Sequence, residues 1–215
     1  STNIDFLIED YTSFKRQEIN YNLNMYMTSN PENDPLFVLE EKYIKQLCRF
    51  FDYWMFDVEC NIVVSYFEMF VKYIYKDICC YNSCIGKHIG IHYDGSIYGC
   101  NRDFPEEYCF GNIYNYKDIH DCFESVGFNK LLEKAIKRRK RCKDTCEIFD
   151  FCAGGCNSVA YMGGDIESSN EYVCKITREI YKYIEGRLEE WKDIEFIDKK
   201  RKLNPRLVKI FMEIS

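Results

Sequence analysis

The chain has 215 residues, of which 47% are hydrophobic and 30% charged, with a net charge of −6. That length holds one or two domains with a packed core. The acidic balance gives no whole-chain basis for nucleic-acid binding, and no apolar run reaches the roughly 20 residues of a membrane span.

The opening residues, STNIDFLIED, carry acids and lack a basic start, so they do not read as a signal peptide. The expected compartment is therefore the reducing cytoplasm. Thirteen cysteines there, an odd number, argue for metal or redox chemistry over a disulfide framework.

In chain order, Ile19, Tyr21, Leu23, Met25 and Met27 alternate with polar residues, which predicts a half-buried strand. TSNPENDP at 28–35 is turn chemistry. Tyr43, Leu47, Phe50 and Trp54 recur at helical spacing, and a second apolar helix is expected over 61–76. Their aromatics could line a substrate groove, but core packing is the favoured reading, because aromatics dominate core burial.

From Cys79 to Cys174 the chain is rich in Gly and Cys. IGIHYDGSIYGC (89–100) predicts a β-hairpin turning on Asp94-Gly95, which sets Ile89 opposite Cys100. A helix is expected over 124–140, with Phe128, Leu131, Leu132, Ala135 and Ile136 on its apolar face. Another is expected from about 171 to 190, with Ile176, Ile180, Tyr183 and Ile184 inward. His88, His92 and His120 form no metal-binding pair, and His92 is read as an exposed strand residue.

The cysteine spacings are ordered. Cys84 is followed by ten residues, Gly95, four residues and Cys100. Cys142, Cys146, Cys152 and Cys156 follow with three, five and three residues between them, and Cys174 closes the series. Zinc takes four ligands, and a four-iron cubane takes four thiolates. Eight cysteines suit two such clusters. Gly154 and Gly155 let the backbone pass close to a bulky group, and Gly99 beside Cys100 is given the same role. The basic run KRRKR (137–141) and Lys143 adjoin Cys142. They either offset a cluster's negative charge or form a solvated helix end with favourable dipole placement.

This pattern resembles the SPASM domain, the auxiliary-cluster region of radical SAM maturases, with its C-x(9–15)-G-x4-C, then C-x2-C-x5-C-x3-C, then C. The match runs in order over 84–174, and EYCFGNIY (107–114) resembles a segment carried between the two halves. FFDYWMFD resembles the helix that bridges barrel and SPASM domain. Cys142-x3-Cys146 departs from the usual two-residue gap by one.

The resemblance implies an α+β, loop-rich SPASM domain with a β-hairpin and helices around two 4Fe-4S clusters, preceded by the end of a partial (β/α) barrel. The implied divisions are 1–78 (last barrel strand and bridging helices), 79–190 (SPASM domain) and 191–215 (tail or helix). It implies a first cluster on Cys79, Cys84, Cys100 and Cys156, with Cys80 as the alternative to Cys79. The second would use Cys142, Cys146, Cys152 and Cys174. Cys48, Cys60, Cys109 and Cys122 are then left as buried thiols.

The C-x3-C-x2-C triplet that binds the SAM-cleaving cluster is missing. The chain is therefore expected to be the C-terminal part of a maturase. S-adenosylmethionine and a third cluster would sit in the barrel outside it, so the chain alone would not cleave SAM. In sulfatase-maturing relatives an Asp follows the cysteine ending G-x4-C as proton acceptor. Here Asn101 follows Cys100, and an amide is no such base. A ribosomal-peptide maturase making thioether or carbon–carbon crosslinks is the expected class. Its implied partners are a precursor peptide or protein and an electron donor such as ferredoxin or flavodoxin, with no nucleic acid and no membrane. Two alternatives stay open: a stand-alone iron–sulfur electron-transfer or peptide-binding module, and a structural zinc protein.

Overall fold

The structure is a computed structural model and describes residues 3–26, 31–76, 85–102, 104–191 and 202–212. In chain order these form helices α1 (Leu7–Arg16), α2 (Glu40–Met55) and α3 (Ser65–Lys76), then strands β1 (Gly90–Ile91), β2 (Ser96–Tyr98) and β3 (Gly111–Asn112). Helices α4 (Val126–Thr145), α5 (Phe149–Cys152), α6 (Asn157–Met162), α7 (Glu171–Glu189) and α8 (Pro205–Met212) follow. The architecture is α+β. The chain divides into two units: 1–80 together with 172–215, and 81–171.

The first unit is an all-helical packing around aromatics. Tyr43, Leu47, Phe50, Phe51, Trp54 and Met55 are the buried face of α2, as the spacing predicted. Phe67 of α3 packs on Phe50, Phe51 and Trp54 at ring-centroid distances of 4.9, 5.2 and 5.5 Å. Helix α1 was not anticipated from the sequence, although Ile4, Leu7 and Tyr11 form a buried stripe at helical spacing. Helix α7 buries Ile176, Thr177, Ile180, Ile184 and Leu188. Its Tyr183 is half-buried and donates to Asp52 at 2.6 Å, and Arg187 Nε bonds the same carboxylate at 2.9 Å. Asn204, just before α8, donates to the Met55 and Trp54 carbonyls at 2.9 and 2.8 Å, satisfying the open end of α2.

The strand expected at 19–27 is corrected. Its only ladder among the described residues is a parallel bridge between Tyr21 and Val64. Tyr21 N–H donates to the Val63 carbonyl at 2.8 Å, and Ser65 N–H to Tyr21 O at 3.1 Å. The alternation survives in exposure, with Tyr21, Leu23 and Met25 half-buried between exposed neighbours. A strand also needs a neighbouring backbone along its length, and among the described residues of this stretch only Tyr21 has one. Met27 lies outside the described residues. Helix α3 likewise starts at Ser65 rather than 61, because the extended Val64 makes that bridge.

In the second unit, β1, β2 and β3 form an antiparallel sheet in that order. The hairpin is present, but its register is one residue off the expectation. Gly90 pairs with Tyr98 and Ile91 with Ile97, which puts Ile89 level with Gly99 rather than Cys100. The loop is Tyr93-Asp94-Gly95, closed by His92 N–H to Ser96 O at 2.9 Å. Gly95 takes a left-handed φ of 85°, the feature of three-residue hairpin loops. EYCFGNIY supplies the third strand: Phe110 N–H donates to Ile97 O at 2.7 Å, and the Asn112 amide to Asp94 O at 2.9 Å. Ile97, Tyr108, Phe110, Cys122, Leu131, Ala135 and Ile166 form the buried core beneath.

Candidate metal centre

The site grows out of α4. Leu131, Ala135 and Arg138 are buried at spacings of four and three, and Cys142 continues that stripe one turn on. The buried face is thus rotated from the expected one, and Ile136 is 55% exposed. Helix α4 runs on through Thr145, so Cys142 and Cys146 are joined by a helical turn, with Cys146 N–H donating to Cys142 O at 2.8 Å. The extra residue between these cysteines is therefore helical rather than looped. Cys142 Sγ lies 3.6 Å from Ser169 Oγ.

Buried Ile148 and Phe151 anchor the short α5, which ends at Cys152. Three left-handed residues follow in succession: Ala153, Gly154 and Gly155, with φ of 50°, 81° and 71°. That run folds the chain back, and Gly155 N–H donates to Cys152 O at 2.9 Å. A Cβ on Gly155 would lie 3.8 Å from Cys152 Sγ. Cys156 then opens α6, accepting from Ala160 N–H at 3.0 Å.

Arg138 binds this loop from inside. It is 1% exposed. Nε donates to Gly154 O at 2.9 Å and Nη2 to Asn157 Oδ1 at 2.6 Å. Nη2 also reaches Gly155 O at 3.5 Å, and Nη1 donates to the Ile166 carbonyl. Burial pulls its pKa below the ordinary value.

The basic run therefore splits. Lys137 and Lys140 are solvated, as one of the two readings had it. Arg138 is not, and its place on the Leu131–Ala135 stripe was the signal for that. Arg141 bonds Glu167 O at 3.0 Å. Gly99 is also corrected: a Cβ there would meet Leu131 at 2.9 Å and Phe110 at 3.4 Å, so it serves sheet-on-helix packing. His92 is half-buried and stacks on Tyr98, with centroids 4.7 Å apart.

Among the described residues, no three His, Cys, Asp or Glu side chains are gathered as a ready-made metal site. Cys79, Cys80 and Cys84 lie outside the described residues, so of the first expected set Cys100 and Cys156 are placed. Both are half-buried. Of the second set, Cys142, Cys146 and Cys152 belong to the second unit and Cys174 to the first turn of α7 in the first. Cys60 and Cys122 are buried thiols as expected, whereas Cys48 and Cys109 are only half-buried. Burial pushes the Cys48 thiol up to about 11. The donor chemistry suits an anionic iron–sulfur group. Partly exposed thiols flank a left-handed glycine loop, beside a buried cation whose bonded oxygens are all neutral.

No family model matches the chain. It is 28% identical over 156 residues to a cysteine-type anaerobic sulfatase-maturating enzyme of Clostridium novyi (strain NT), covering 68% of this chain and 41% of that protein. Among solved structures it is similar to native anSMEcpe with bound AdoMet, with a TM-score of 0.70 and 21% identity, covering 87% of this chain and 54% of that one. The same enzyme with AdoMet and a peptide gives a TM-score of 0.68 at 22% identity. The chain thus spans about half the length of these relatives or less. It is similar in sequence to part of that sulfatase-maturating enzyme and shares the fold of part of anSMEcpe.

Proposed function

We propose that this chain is the auxiliary-cluster portion of a radical SAM peptide maturase and holds two 4Fe-4S clusters. Cys84, Cys100 and Cys156, with Cys79 or its neighbour Cys80, would bind the first. Cys142, Cys146, Cys152 and Cys174 would bind the second. When bound, such clusters supply an electron acceptor or a fixed point for the substrate. The segment 79–190 is the proposed SPASM domain. The substrate is a precursor peptide, the electron donor a ferredoxin or flavodoxin, and the setting the cytoplasm.

The observation that carries this reading is the Cys152–Cys156 loop. Its three left-handed residues and the Arg138 bonds to Gly154 and Asn157 hold two of the proposed ligand thiols on a fixed backbone. Such a conformation costs about 1–2 kcal/mol at Ala153, a non-glycine residue, and two clusters that each need one of these thiols in place account for keeping it.

A second reading, sulfatase-type maturation, is favoured by the name of the Clostridium novyi relative. Against it stands Asn101, which is exposed beside Cys100 and cannot take a proton. We therefore keep crosslink formation as the proposal.

The test is iron, acid-labile sulfide and zinc per chain after anaerobic reconstitution. About eight irons and eight sulfides are expected. About two zincs without iron would overturn the cluster reading in favour of a structural zinc protein. Asn101→Asp in the full-length maturase separates the two reactions: gain of formylglycine formation on a sulfatase peptide would show that only this amide had blocked it.

A further inference from the structure

We infer that Arg138 is a positioning residue and shared counter-charge for the two proposed cluster sites, an inference that rests on the cluster reading above. Its geometry departs from a surface arginine in three ways. It is almost fully buried, it directs its guanidinium to one loop and one distant carbonyl, and among the described residues it bonds no carboxylate. The acceptors are the carbonyls of Gly154, Gly155 and Ile166 and the amide oxygen of Asn157.

A guanidinium stays protonated in proteins. Burying it against neutral dipoles alone is costly, and buried charges are normally paired. Nearby acids do not supply the pair: Asp165 is taken by Lys134 at 2.7 Å, and the bonds of Arg138 go to the Gly154, Gly155 and Ile166 carbonyls and the Asn157 amide oxygen, not to Glu167. The candidate anions are thiols: Cys142 lies one helical turn after Arg138 on α4, and the loop that Arg138 bonds at Gly154, Gly155 and Asn157 carries Cys152 and Cys156. In the proposed ligation these divide between the sites, with Cys156 in the first and Cys142 and Cys152 in the second. The cation therefore faces ligands of both.

Two separable consequences follow. The fork bonds Gly154, Gly155 and Asn157 together, so it sets the spacing of Cys152 and Cys156. Its charge stabilises the more negative, reduced form of a cluster nearby, because charge and hydrogen bonding around a cluster set its potential. Arg138→Lys keeps the charge and loses the planar fork. Asn157→Asp keeps the fork and places a carboxylate at the 2.6 Å contact, which cancels the charge. A loop clamp without an electrostatic role would leave potentials unmoved in Asn157→Asp.

The measurements are anaerobic redox titration followed by electron paramagnetic resonance, and the rate of iron loss to a chelator, on the reconstituted full chain. Asn157→Asp is expected to retain iron and shift at least one cluster to a more negative potential. Arg138→Lys is expected to release iron several-fold faster with potentials near those of the unaltered protein. Unmoved potentials in Asn157→Asp, with unaltered iron release in Arg138→Lys, would overturn the inference. If Arg138→Lys fails to fold, Asn157→Asp alone decides. Absence of iron from the unaltered protein would instead strike the cluster reading itself.

Discussion

In the first unit, order comes from side chains. Phe67 meets Phe50, Phe51 and Trp54, and Tyr11 packs on Phe50 at 5.4 Å, so helices with buried aromatic faces close on one another. In the second, order comes as much from backbone. Among the described residues its fully buried aromatics are Tyr108, Phe110 and Phe151, alongside small residues such as Cys122 and Ala135. Its short strands span two or three residues. A left-handed loop and a buried arginine hold its cysteine stretch. Aromatic burial needs only apolar side chains at the right period. A loop held by backbone bonds and ligand thiols needs particular residues at particular places, and gains stability when a bound group joins them.

That contrast predicts unequal dependence on metal, and this is the largest effect expected. Stripping iron from the reconstituted protein should abolish most slow amide exchange over 85–171 while α2 and α3 stay protected, as read by hydrogen-exchange mass spectrometry. Equal loss in both units would remove the distinction.

Phe67→Ala should cost about 4 kcal/mol, in the range for deleting a buried aromatic, and strike the first unit alone. Denaturant unfolding, with exchange resolved by peptide, gives both the size and the place. Gly127→Ala should cost about 3 kcal/mol, the upper end for overpacking. A Cβ there would meet the Cys109 carbonyl oxygen at 1.9 Å, so backbone must move. The smallest effect sharpens the same comparison. Gly186→Ala on α7 has nothing within 4 Å of its new Cβ and should stabilise the first unit by about 0.8 kcal/mol through helix propensity. Thermal melts of these two Gly→Ala variants should move in opposite directions.

Much of the helical layout was legible because a buried helical face repeats locally. Tyr43, Leu47, Phe50 and Trp54, and later Ile176, Ile180 and Ile184, announce their faces by spacing alone. The hairpin was legible from Asp94-Gly95, but its register was not. Gly95 serves a two-residue or a three-residue loop equally well in sequence, and the choice moves Cys100 by one partner. The 19–27 alternation misled because a strand pattern does not reveal whether a neighbour runs alongside. On α4, Ile136 and Arg138 exchanged their expected places: the apolar residue is exposed and the charged one buried.

By itself, the sequence determined the order and spacing of the cysteines, the helical periods and the turn chemistry, since each is a property of residues near one another in the chain. The tertiary structure alone decided that Arg138 turns inward to the Gly154–Asn157 loop, that Gly99 is there to admit Leu131, and that EYCFGNIY adds a third strand. Each of these depends on a partner at least twelve residues away. Local pattern cannot specify such a partner, because burial and hydrogen bonding are settled only when distant segments meet.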